Sequence, residues 1–94
     1  MKKDTIEDYL MLKGLKPHFR GFAYLVDAIS TYRLGMMMTK QLYPEIAKMH
    51  SSRPTMIERC IRNAINDAGL NQSNSEFIAL AHLMCKRREE QKTT

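Results

Sequence analysis

The chain has 94 residues, of which 44% are hydrophobic and 27% charged, the balance of an ordinary globular domain. A length of 94 supports one small domain with a single core and leaves little room for a deep enzyme pocket. No apolar run approaches the ~20 residues of a membrane span, and the N-terminus MKKDTIEDYL turns acidic with no apolar stretch, so it is not expected to be a signal peptide. A cytoplasmic protein is expected, and its net charge of +5 and pI near 9.4 suit a polyanionic partner.

No strand-like alternation persists, so an all-α fold is expected, with about five helices. The first runs from about Thr5 to Lys13. Thr5 and Asp8 resemble a capping pair, Ile6, Tyr9 and Leu10 share a face with Lys13, and Gly14 fits the left-handed position past the end. Pro17 opens a second helix over about His18 to Arg33, where Phe19, Phe22, Val26 and Ile29 make an amphipathic stripe. Leu34-Gly35 ends it, and Met36-Met37-Met38 reads as a flexible apolar connector that fills gaps in the core.

The next two helices are the informative ones. TKQLYPEIAKMHSSRPTMIERCIRNAI, residues 39–65, reads as a short helix, a polar turn and a second helix with arginines on its outer side. That is the layout of a helix-turn-helix, expected over about 40–68. Leu42, Ile46 and Met49 point inward on its first helix, Ala47 permits close approach, and His50-Ser51-Ser52 form the turn. The second helix runs from Pro54 or Thr55 to Ala68. Ile57, Ile61, Ala64, Ile65 and Ala68 form its core face, and Met56, Arg59, Arg62, Asn63 and Asn66 face away. Gly69 stops it, Asn71 to Asn74 form a polar loop, and a last helix covers about 75–90. Ser73 and Glu76 are its capping box, and Phe77, Ile78, Ala81, Met84 and Cys85 turn inward. Cys60 and Cys85 read as buried free thiols.

Arg59 and Arg62 lie one turn apart on the outer face. A guanidinium fork matches the O6 and N7 acceptors of guanine, and the neighbouring Glu58 can accept from a cytosine amino group. The competing reading is local: Glu58 bridges Arg62 at i, i+4, or closes a capping box with Thr55. Ser51, Ser52, Arg53 and Thr55 sit where hydroxyls and backbone N–H groups hold phosphates, or else simply cap the helix. Lys40 and Lys48 reach flanking phosphates or stay solvated. The run Lys86-Arg87-Arg88-Glu89-Glu90 reads as a solvated helix end or part of a subunit contact. His18, His50 and His82 lie in separate elements with no cysteine or carboxylate at ligand spacing, and no Gly-rich phosphate loop is present. The chain therefore reads as neither an enzyme nor a metal or cofactor protein, with no small-molecule substrate.

The segments LKPHFRGFAYLVDAI, TKQLYPEIAK, IERCIRNAI and NSEFIAL resemble the C-terminal DNA-binding domain of the master response regulator of endospore formation in Firmicutes. The resemblance runs from about residue 9 to 88. It implies an all-helical, winged-helix-free effector domain whose helix-turn-helix reads a promoter box with a TGTCGAA-like sequence in double-stranded DNA. It assigns base contacts to Glu58, Arg59 and Arg62, and it implies pairing through the C-terminal region on tandem boxes. Three departures stand out. The 94 residues include no phosphoacceptor receiver, although the starting methionine suggests a complete small protein. The stretches around 31–38 and 68–73 are shorter than in the family, and the second shortening bears on the pairing surface. Met56 stands where the family tends to have arginine, beside an unusual Pro54. Three functions follow: a stand-alone sequence-specific regulator; a protein-interaction module that antagonises a full-length regulator or another transcription component; and a homodimer built through the last helix.

Overall fold

The computed structural model describes residues 1–92 and is all-helical, with no strand among the described residues. Its elements are α1 (Lys3–Leu12), α2 (Arg20–Thr31), a π-helical turn (Met38–Leu42), α3 (Tyr43–Met49), α4 (Pro54–Asp67) and α5 (Asn74–Lys92). α2 is the hub: it packs most extensively against α4 and also meets α1, α3 and α5. Ile6, Leu10, Leu25, Ile29, Leu42, Ile46, Ile57, Ile61, Ile65, Phe77 and Ile78 are sealed from solvent between these helices. Each such side chain contributes about 1.5–3 kcal/mol by leaving water, and this shared burial holds short helices that would not persist alone.

α1 begins two residues before the expected Thr5, and Thr5 is buried inside it instead of capping it. The cap comes from the other end of the chain. Glu89 on α5 accepts the Lys2 backbone N–H at 2.5 Å and lies 3.9 Å from the N-terminal amine. Chiefly that backbone hydrogen bond, helped by one from the Thr5 hydroxyl, holds the Glu89 carboxyl below its usual range. Within the basic-acidic run at the C-terminus, Glu89 thus clasps the start of the chain and Arg88 sits 5.4 Å from the Tyr9 ring centre, while Lys86 and Arg87 are exposed as a solvated helix end would be. Glu89→Gln is expected to lower the melting temperature at neutral pH. A carboxyl depressed by folding contributes above its unfolded value of 4.5, and that contribution disappears as pH falls through the lower folded value. Thermal melts from about pH 7 to about pH 3 should show the gap between wild type and variant closing.

Gly14 (φ +93°) ends α1 as expected: the Leu15 N–H reaches the Leu10 carbonyl and the Gly14 N–H that of Met11, the paired bonds of a Schellman stop. Pro17 does not open α2. It sits in a turn closed by Phe19 N–H to Lys16 O at 3.2 Å, and α2 starts at Arg20. Phe19 is extended and packs on the core, so burial of its ring outweighs helical continuation. α2 also stops at Thr31, short of Arg33. Tyr32 leaves the helix to bury its ring edge-on against His82, whose Nδ1–H donates to the carbonyl of Ile29 in the last turn of α2 at 2.7 Å.

The methionine segment does not behave as a simple connector. Met38 opens the π-helical turn, and Met36 and Met38 pack against the core. That turn runs straight into α3, where Leu42 and Ile46 are buried as expected and Tyr43 and Ala47 join them. Met49, expected inside, is instead 53% exposed at the end of α3. On α5 the Ser73 and Glu76 box forms in full, with Ser73 Oγ accepting the Glu76 N–H at 3.2 Å and Glu76 accepting the Ser73 N–H at 3.3 Å. α5 starts at Asn74, so Asn74 is a helical residue and not part of the loop. Met84 is only half-buried, whereas Phe77, Ile78, Ala81 and Cys85 are buried. Cys85 is a free thiol pushed up to about 11 by burial, and Cys60 is free and half-buried.

Candidate nucleic-acid interface

α3 and α4 are joined by residues 50–53. The turn is a second Schellman stop: Ser52 N–H reaches Ala47 O at 2.9 Å and Ser51 N–H reaches Lys48 O at 3.4 Å. This places Ser51 in the left-handed region, at φ +50°, which costs a non-glycine residue about 1 kcal/mol. The strain is offset by anchoring from α2. His50 Nε2 lies 2.6 Å from the Asp27 carboxylate, and the His50 ring meets Tyr24 edge-on at 4.8 Å. Lys3 of α1 holds the other Asp27 oxygen at 3.4 Å. His50 thus gains through folding the carboxylate partner that sequence spacing did not reveal, although no group of side chains among the described residues could hold a metal.

α4 buries Ile57, Ile61, Ala64 and Ile65 and turns the rest of its circumference outward. Its two flanks are distinct. On one flank, Cys60 and Asp67 meet α2 and the segment before it: an ideal Cβ on Gly21 would lie 2.1 Å from the Cys60 carbonyl oxygen, and Lys16 pairs with Asp67 at 3.4 Å. On the other flank, Glu58 and Arg62 line a shallow groove with Tyr43 and Asn74. Between the flanks, on the outermost line, stand Arg59, Asn63 and Asn66, all exposed. Arg59 has no ion-pair or hydrogen-bond partner among the described residues.

Of the sequence candidates, Glu58 and Arg62 are brought together. Arg62 Nη1 donates to Glu58 Oε1 at 3.0 Å, the i, i+4 bridge. The side chains are 53% and 36% exposed respectively, so the bridge contributes only about 0.3–0.5 kcal/mol and opens readily. The alternative capping box of Glu58 with Thr55 does not form: Arg53 is the N-cap and no side chain caps the helix. Arg53, Thr55 and Ser51 are exposed, and Ser52 is half-buried. All four gather at the α4 N-terminus, with Lys48 exposed in the last turn of α3. The α4 N–H groups there lack a side-chain acceptor, an arrangement suited to an anion.

Sequence reasoning missed Asn74. Its side-chain amide donates to Tyr43 Oη at 3.2 Å and to the Glu58 carbonyl at 3.1 Å, joining the starts of α3 and α5 to the middle of α4. Tyr43 is buried, and burial raises its phenol despite that hydrogen bond. The signal was available: a Ser73 cap makes Asn74 the first helical residue, and Phe77 and Ile78 at i+3 and i+4 put it on the inward face.

No helix among the described residues is long and apolar enough to cross a membrane. Over residues 6–94 the chain matches the family model described as "Sporulation initiation factor Spo0A C terminal". It belongs to that family of DNA-binding sporulation-regulator domains.

Proposed function

We propose that residues 1–94 act as one cytoplasmic DNA-binding unit that lays α4 in the major groove and reads a short promoter box. Arg59 and Arg62 contact base edges, and Glu58 orients Arg62 or accepts from a cytosine amino group. Ser51, Ser52, Arg53, Thr55 and Lys48 hold backbone phosphates around the α4 N-terminus. The observation that carries this reading is the Arg59 guanidinium, exposed on the outermost line of α4 and unpartnered among the described residues.

α5 supports a second element of the proposal. Leu80 and Leu83 are 43% and 45% exposed, and with Leu34 they line a groove between α5 and the segment after α2. An apolar strip of this kind suits pairing of two copies through α5, or the rival function as an interaction module. Selection of bound duplexes from a random DNA pool tests the reading. Enrichment of a TGTCGAA-like box is the expected result. A pool that shows no enriched sequence, bound weakly and with a shallow salt slope by folded protein, would favour the interaction module.

A further inference from the structure

We propose that the segment Lys16 to Arg20, which leads into α2, is a second phosphate-backbone contact, with Arg20 as its principal cation. This rests on the major-groove reading above and extends the interface to a part of the chain outside the helix-turn-helix. A recognition helix is about as wide as the groove it enters, so whatever borders its two sides meets the phosphate strands. On one border of α4 that neighbour is the start of α2. The two backbones approach so closely at Gly21 and Cys60 that a Cβ there has no room. Arg20 precedes this contact by one residue. It also stands at i relative to Tyr24 (i+4) and Asp27 (i+7), the two α2 residues that touch His50 in the turn. Arg20 therefore lies on the side of α2 that faces the turn, one helical turn before Tyr24 and next to the close approach to α4 at Cys60 and Ala64.

The neighbouring charges are already paired. Lys16 is neutralised by Asp67, and Asp27 is held by His50 and Lys3. His18 packs edge-on against Phe19 with its ring exposed, and its imidazole can add an N–H to a phosphate. Arg20 is exposed and has no partner among the described residues. The ligand is the duplex sugar-phosphate backbone, contacted without regard to sequence.

The test is an anisotropy titration of a selected-box duplex and a scrambled duplex over a range of salt, with wild type, Arg20→Ala and Arg20→Lys. Arg20→Ala should weaken both duplexes equally, several-fold near physiological salt, and make the log–log salt slope shallower by about one. Arg20→Lys should keep the slope. An Arg20→Ala protein that matches wild type on both duplexes, or loses affinity only for the box, would overturn the contact while leaving the major-groove reading standing. If wild type shows no salt-dependent duplex binding, that reading fails and this contact fails with it. Circular dichroism of each variant separates these outcomes from misfolding.

Discussion

Gly21→Ala should be among the most damaging single-methyl additions the chain can suffer. In an ordinary helix interior this substitution gains about 0.5–1 kcal/mol, because alanine loses less backbone freedom than glycine. Here the added carbon would lie 2.1 Å from the carbonyl oxygen of Cys60 and 2.8 Å from the Cβ of Ala64. Neither neighbour is the free end of a flexible side chain. The carbonyl belongs to the hydrogen-bonded ladder of α4, so relief requires α2 and α4 to move apart along the largest interface in the fold. Overpacking of this kind costs about 1–3 kcal/mol, and a backbone obstacle puts it at the upper end or beyond. For a chain of this length, about 3 kcal/mol is a loss of roughly 12–24 °C in melting temperature. A calorimetric or dichroism melt reads it directly. An unchanged or higher melting temperature would mean that the two helices are not packed as described. Duplex binding should fall as well, since the displaced helix is the one that presents Arg59.

The Gly21 contact also shows where sequence reading stops. The core stripe of α4, the left-handed Gly14 and the Ser73–Glu76 box were legible because each is a local pattern with a local cause. Gly21 carries no such mark. A glycine inside a helical stripe reads as a weakness until the facing backbone is known. The same limit explains the misplaced α1 cap, where Glu89 from 87 residues away supplies what Thr5 was expected to supply. It explains Met49, which its spacing from Ile46 put inside but which stands exposed at the last residue of α3, where the chain turns toward α4. It explains the His50–Asp27 pair, which spans 23 residues. At the candidate interface the outward set Arg59, Arg62, Asn63 and Asn66 followed from helical spacing alone. The clamp on its back, Asn74 to Glu58 and Tyr43, depended on three elements meeting.

Arg59→Ala should cost about 1–3 kcal/mol in binding to the preferred box, with the loss concentrated there and not on a scrambled duplex. Stability should stay within about 0.5 kcal/mol of wild type, because the side chain is exposed and makes no internal bond among the described residues. Arg62→Ala should behave differently. Arg62 is already held by Glu58, so its truncation removes a proposed reader and also leaves the Glu58 carboxylate without its partner on the face proposed to meet DNA. It should therefore weaken scrambled DNA too. Lysine at position 59 should not restore discrimination, since a point charge lacks the two-pronged fork that matches guanine. Titrating the three variants against both duplexes at fixed salt separates these effects. A box-to-scramble ratio unmoved by Arg59→Ala would show that the outermost arginine of α4 reads no base, and the direct-readout role would then have to pass to Arg62 and Glu58.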